Sequence, residues 1–209
     1  MAPPVPLVII GAGGLARETA WLVREINQQS PSFNLLGCIA PEHQPVVIGT
    51  DEWAWNHLSA DTRFCVAIGN PGLREKIAAA YESRGFRPAA LVHPSVKPDT
   101  SVHIGEGTII AKGTILTVDI HIGAHCLIDI GCTISHDTRL EDFVTLHPGV
   151  TATGNVHLGK GVEVGAGTVF RNQVQVAAGI RTGAGAVVVS DLVEKGTYAG
   201  VPARLLSGA

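Results

Sequence analysis

Every sixth residue from Ile104 is aliphatic or nearly so: Ile104, Ile110, Leu116, Ile122, Ile128, Ile134, Leu140, Leu146, Ala152, Leu158, Val164, Phe170, Val176, Thr182 and Val188. Four residues after each comes a second, mostly small or β-branched position, running through Thr108, Thr114, Ile120, Cys126, Cys132, Thr138, Val144 and Val150. Val92/Val96 and Pro98/Val102 hold the same register, so about seventeen hexads lie between Val92 and Leu192. A period of six is neither helical nor a strand alternation, so the chain must be reset after each short strand. Three strand-and-turn units per circuit satisfy this, with the first position pointing inward and the fifth at a corner. Stacked at about 4.8 Å per coil, roughly six coils give a prism just under 30 Å tall. The pattern predicts a left-handed parallel β-helix. The glycines and the period exclude a coiled coil or a membrane-spanning helix.

Residues 1–91 follow a different pattern. Leu7 to Gly11 reads as a buried strand running into a glycine turn, and Leu15 to Asn27 has helical apolar spacing. Further strands are expected at Leu35–Ile39, Val46–Ile48, Phe64–Gly69 and Pro88–Val92, with helices at Asp51–Leu58 and Leu73–Arg84. Strands alternating with helices predict a small parallel α/β sheet, Rossmann-like, with ligands at the carboxyl ends of its strands. The expected division is a nucleotide-binding domain over 1–91 and a β-helix domain over 92–209, with the boundary near Leu91 to Pro94.

Composition narrows the functional classes. The formal charge is −3 with no long basic run, which argues against a nucleic-acid surface. No cationic region precedes the short apolar stretch Leu7 to Ala12, so a cytoplasmic protein without membrane insertion is expected. Cys38, Cys65, Cys126 and Cys132 form no CxxC pair and read as buried thiols.

The turn Gly11-Ala-Gly-Gly-Leu-Ala16 fits G-x-G-x-x-G/A, whose glycines let backbone N–H groups approach a phosphate; the alternative is a strand-to-helix turn that merely needs glycine. The second strand ends Cys38-Ile39-Ala40-Pro41, with Glu42 two residues late for a ribose contact, so a redox dinucleotide is not favoured. His136 and Asp137 sit at the third and fourth positions of a hexad, outside the packed interior. There they form either a general base with its orienting carboxylate or a solvated polar pair. His103, His121 and His157 share a column with Arg139 that could line a surface or a subunit interface, or less readily a metal site.

Ile10-Gly-Ala-Gly-Gly14, Ala67-Ile-Gly-Asn-Pro-Gly-Leu-Arg74, and Ile134-Ser-His-Asp137 through Glu141-Asp-Phe143 to His147-Pro-Gly149 together resemble the sialic-acid O-acetyltransferase family of hexapeptide-repeat acyltransferases. That family includes N-acetyltransferases of nucleotide-linked amino sugars, and the tail Ala199-Gly-Val-Pro-Ala-Arg204 resembles its closing motif. The resemblance covers nearly the whole chain. It implies acetyl-CoA as co-substrate without a metal, a nucleotide-activated amino sugar as acceptor, and a homotrimer with the coenzyme between neighbouring prisms. It implies phosphate contacts at Gly13 and Gly14, acceptor contacts at Leu15, Gly69 and Gly72, and coenzyme contacts at Thr145, Ala166 and Ala184. His136 is implied as general base, with Asp137 orienting it.

The sequence also departs from that family. Leu15 replaces a usual His, and Ala40-Pro41 replaces a carboxylate pair common at the end of the second strand. The family's second prism His falls at Thr145, with His147 two residues later. O-acetylation of a sialic-acid-like sugar and a catalytically silent sugar-binding protein are the alternatives. A zinc site of the γ-carbonic-anhydrase type would need a third ligand where Val162 stands.

Overall fold

The structure, a computed structural model, describes residues 3–41 and 44–206 of the 209-residue chain; Glu42 lies outside the described residues. The first part is a five-stranded parallel sheet: β1 (Val5–Ile10), β2 (Phe33–Ile39), β3 (Val47–Gly49), β4 (Arg63–Val66) and β5 (Arg87–Pro88). Its order is β3-β2-β1-β4-β5, so the connection direction reverses between β1 and β4. The near-continuous apolar run Leu7-Val-Ile-Ile10 is buried on both faces, as a central parallel strand requires. Helix α1 (Gly14–Gln29) covers one face, where Leu7 and Ile9 meet Ala16, Leu22 and Val23. Helices α2 (Asp51–His57) and α3 (Pro71–Glu82) cover the other, where Val8, Ile10, Phe64 and Val66 meet Ala54, Ala78 and Tyr81.

The second part is the left-handed β-helix that the hexads predict. Two-residue strands pair in parallel with strands eighteen residues away, as in Leu127↔Thr145 and Ile128↔Leu146, and so build three flat faces. The first-position residues from Ile110 to Val188 and the fifth-position residues from Thr108 to Leu192 are buried and form one continuous core. Each aliphatic side chain so buried contributes about 1.5–3 kcal/mol. Every corner places its fourth-position residue at positive φ, from Gly107 to Gly185. Six of these are not glycine: Asp119, His125, Asp137, Phe143, Asn155 and Gln173. Asp and Asn tolerate that region well; for bulky Phe143, at φ 62°, it is strained.

The single strand expected at Pro88–Val92 is two. Arg87–Pro88 closes the first sheet, with the Ala89 N–H donating to the Phe64 carbonyl at 2.8 Å. After Ala90 the backbone changes partner, and β6 (Leu91–Val92) pairs with Ile109–Ile110 of the prism. Local apolar spacing does not register which sheet a strand joins.

The α/β part rests on the prism face that carries Ile109 and Leu127, whose side chains join the core beneath α1. Arg74 of α3 fixes the arrangement. Only 2% exposed, it spends its guanidinium on oxygens of both parts. Nε donates to the His125 carbonyl at 2.8 Å, Nη1 to the carbonyls of Ile68 at 2.7 Å and Gly69 at 2.9 Å. Nη2 donates to the Phe143 carbonyl and to Thr145 Oγ1, both at 2.8 Å. Burial pulls its pKa down to about 10, which leaves it charged at neutral pH. Two of its acceptors, His125 and Phe143, are positive-φ corner residues whose rings stack at 5.2 Å and 5°. Replacing Arg74 with Met strands those buried oxygens, and stability to denaturant should fall by about 3 kcal/mol. A variant within about 0.5 kcal/mol of the parent would show that the lock is dispensable.

Candidate active site

Two clefts and two prism edges carry the chemistry-bearing residues. At the carboxyl ends of β1, β2 and β4, where the sheet order reverses, lies a cleft of about 430 Å³. Its walls are Ile10, Ile39, Ala40, Pro41, Ile68, Leu73 and Ile77, and its floor is the Gly11-Ala12-Gly13 turn. Asp51 is the carboxylate at its side, held by the Tyr81 hydroxyl at 2.7 Å. Gly11 has φ 116°, and a Cβ there would lie 3.0 Å from the Ala67 carbonyl oxygen, so this position requires glycine. Gly13, at the N-cap of α1, has φ −77° and open space around it, and no side chain caps the helix. The first turn, with no side-chain cap, begins at the cleft residue Gly13, a setting that attracts anions.

His136 and Asp137 stand on a prism corner with side chains 61% and 60% exposed. His136 Nδ1 lies 2.7 Å from Asp137 Oδ2. A carboxylate accepts, so the proton sits on Nδ1 and the Nε2 lone pair is left free. The ring lies over Gly154 of the next coil, where a Cβ would come within 2.5 Å of Cε1. Gly154 thus makes the shelf for the imidazole, and its eighteen-residue offset from His136 is the signal by which sequence could have found it.

Ala166 and Ala184 are exposed on a different corner, in one column with Pro148 through the bonds Gly167 N–H to Pro148 O at 2.9 Å and Gly185 N–H to Ala166 O at 2.8 Å. A Cβ on Gly165 would lie 2.6 Å from the Ala184 nitrogen, which explains the glycine there. Within one chain the His136 corner and the alanine corner do not meet. They are the two edges of one face, carrying Ile115, Thr133, Thr151, Val169 and Val187 outward. That face is apolar and open: Ile115 is 57% exposed, and Val118 and Ile130 on its flanking corners are 43% and 47% exposed.

The other expected residues are dispersed. Gly69 lies at the contact of the two parts, its carbonyl accepting from Arg74 and from Thr145 Oγ1 at 3.1 Å. Gly72 borders a second cleft, of about 550 Å³, with Asn70, Lys160, Glu163 and Arg181. Thr145, expected to touch coenzyme, is fully buried with its hydroxyl committed to Gly69 and Arg74, so it has no surface to offer one. Leu15, expected to touch the acceptor, packs toward the prism and lines a separate crevice of about 70 Å³ with Trp21, Leu127 and Ile130. His147 is partly exposed on the face that holds the α/β part, 3.4 Å from Glu163 Oε1.

His103, His121, Arg139 and His157 do form one column, with the rings of His103 and His121 6.2 Å apart. Among the described residues no three His, Cys, Asp or Glu side chains converge as metal ligands. The four thiols are free and buried. Burial pushes Cys126 up to about 12 and Cys132 up to about 11, far from a thiolate nucleophile. Among the described residues no helix is long and apolar enough to cross a membrane.

Residues 6–81 match the model of the PglD N-terminal domain family. No curated protein matches the chain by sequence. Among solved structures, the acetyltransferase domain of PglB from Neisseria gonorrhoeae is 29% identical over 97% of this chain and 100% of that one, with a TM-score of 0.91. It has also been solved in complex with acetyl coenzyme A. A mutant of perosamine N-acetyltransferase from Caulobacter crescentus, in complex with CoA and GDP-perosamine, is 30% identical over 97% of both chains, with a TM-score of 0.89. WeeI from Acinetobacter baumannii is 27% identical over 96% of this chain and 99% of that one, with a TM-score of 0.84.

The two cleft glycines should respond oppositely to substitution. Gly11→Ala forces a side chain into a left-handed position and should cost about 1–2 kcal/mol in a denaturant melt. Gly13→Val should melt within about 0.5 kcal/mol of the parent yet fill the cleft mouth, so that nucleotide binding is lost from a folded protein. Undiminished nucleotide affinity in folded Gly13→Val would move the cradle elsewhere.

Proposed function

Because the chain belongs to the family of acetyl-CoA-dependent sugar acetyltransferases that includes perosamine N-acetyltransferase, we propose that it transfers acetyl from acetyl-CoA to the amino group of a nucleotide-linked amino sugar, with His136 as general base. The observation that carries the role of His136 is its geometry. It is an exposed imidazole whose Nδ1–H is anchored on Asp137, whose Nε2 is free, and whose ring is seated on Gly154. The acceptor nucleotide occupies the cleft over Gly11–Gly13, with its phosphates at the first turn of α1. O-acetylation is the weaker alternative, since the structures matched over the whole chain include an N-acetyltransferase with its amino-sugar nucleotide.

The site is completed by a second copy of the chain. His136 on one edge of the open apolar face and Ala166/Ala184 on the other are two halves of one site. A ring of copies, each setting its His136 edge against the alanine edge of the next, closes every half-site. A homotrimer suits a prism that offers one such face, and the arrangement covers Ile115, Val118 and Ile130.

In the reaction the neutral amine nitrogen attacks the thioester carbonyl carbon, forming the N–C bond. His136 Nε2 takes the proton that the nitrogen sheds, and Asp137 stabilises the resulting imidazolium. Collapse breaks the C–S bond, and His136 returns the proton to the departing coenzyme sulfur. No acyl-enzyme is required, in keeping with the buried, high-pKa thiols.

His136→Ala should lower kcat by about 10²- to 10⁴-fold with little change in coenzyme affinity, and Asp137→Ala should cost less because the imidazole remains. Gly154→Ala should leave the melt unchanged and lower kcat by about tenfold or more, because the new methyl pushes the ring off its shelf. His147→Ala is the comparison. Loss of turnover in His147→Ala together with near-parent kcat in His136→Ala would reassign the base.

A further inference from the structure

The cleft at the end of the sheet has apolar walls with one charge set into them. Among the described residues that line it, Asp51 alone is ionic. Strand β2 ends in Ala40-Pro41 and brings no carboxylate to the cleft; Asp51, two residues after β3 and first in α2, does. The helix start does not require it. Thr50 already caps α2, its hydroxyl oxygen accepting from the Trp53 N–H at 3.3 Å, and Glu52 supplies an acid to the first turn. One oxygen of Asp51, Oδ1, accepts from the Tyr81 hydroxyl at 2.7 Å. Tyr81 is fully buried, and burial followed by its bond to Asp51 pushes the phenol far up. The hydroxyl therefore stays a donor and holds the carboxylate in one orientation. Oδ2 takes no hydrogen bond from any other described residue. A partly buried carboxylate among apolar walls is left to find its donors on whatever fills the cleft.

We infer that Asp51 reads the base of the acceptor nucleotide and makes the cleft selective for guanine. This rests on the proposed nucleotide reading of the cleft and adds which base it takes. A carboxylate only accepts, so it selects for donors. Guanine presents two side by side, N1–H and the exocyclic N2 amine, spaced to meet both oxygens in parallel bonds as the fork of a guanidinium does. Oδ1 has a second lone pair left after the Tyr81 bond, so both oxygens can take part. The other bases offer a poorer match. The N3–H of uracil lies between two carbonyl oxygens that a carboxylate repels. In adenine and cytosine the amine stands beside a ring nitrogen that is itself an acceptor. Tyr81 is the positioning residue in this arrangement, and Asp51 is the one that touches the base.

The test is calorimetric titration of the full-length protein and of Asp51→Asn with GDP, IDP, UDP and ADP, alongside thermal melts. IDP differs from GDP only in lacking the N2 amine, so the parent should bind it about tenfold more weakly, and UDP and ADP about 100-fold more weakly. That comparison needs no variant. Asp51→Asn should keep the parent's melt, because the Tyr81 hydroxyl can still donate to the amide oxygen. Its amide NH₂ then opposes the guanine donors, and the preference for GDP over UDP should fall to about threefold or less through weaker GDP binding alone. A parent that binds IDP, UDP or ADP as tightly as GDP overturns the assignment of Asp51, as does an Asp51→Asn protein that keeps the full preference. Either result leaves acetyl transfer and the nucleotide cleft standing. Absence of binding for all four nucleotides removes the nucleotide reading of the cleft, and this assignment with it.

Discussion

Arg74 is a buried cation with no buried anion beside it, paired instead with carbonyl and hydroxyl oxygens drawn from both parts of the chain. Each oxygen is costly to desolvate unless it is hydrogen-bonded, so the guanidinium and its acceptors are stable only together. The acceptors on the prism are the carbonyls of the positive-φ corner residues His125 and Phe143 and the hydroxyl of Thr145. The acceptor on the α/β side is the loop after β4, whose Ile68 also borders the nucleotide-sized cleft. Arg74 therefore ties the cleft to this level of the prism, beside the ion pairs Glu82–His125 and Glu75–Lys160 and the apolar contact at Ile109 and Leu127. It also absorbs Thr145, whose hydroxyl is held in the contact between the two parts by Arg74 and the Gly69 carbonyl.

A triangular prism with eighteen residues per coil assigns every residue to one corner or face, and that assignment governs the chemistry. His136 and Ala166/Ala184 fall on opposite edges of the one open apolar face. The α/β part covers a second face, and the third carries the polar column of His103, His121, Arg139 and His157. In the proposed reaction, His136 on one edge and the small residues Ala166 and Ala184 on the other form one centre across a boundary between copies. The same geometry explains why Gly154 and Gly165 are glycine. Each lies where the next layer, an imidazole ring in one case and a backbone nitrogen in the other, leaves no room for a methyl.

The hexads made the prism and its inward positions legible because the period is local and each first- and fifth-position residue reports its own burial. The glycine turn and the His136-Asp137 pair were legible for the same reason, as short segments whose residue types limit what they can do. Contacts where the two parts of the chain meet left no such mark. The change of sheet between Pro88 and Leu91, the burial of Thr145, the turn of Leu15 toward the prism and the bonds of Arg74 all depend on how the two parts meet.

The proposed reaction centre is shared between copies, with His136 from one and the alanine edge from the next. Mixed assemblies test it directly. His136→Ala lacks the proposed base, and Ala184→Trp obstructs the alanine edge, so each should be nearly inactive alone. When the two chains are co-expressed in equal amounts and purified as mixed oligomers, about one boundary in four should pair an intact His136 edge with an intact alanine edge. Acetyl transfer should then recover to about a quarter of the parent rate per chain. Mixed oligomers that stay as inactive as either variant alone would contradict the shared centre and confine the reaction to a single chain.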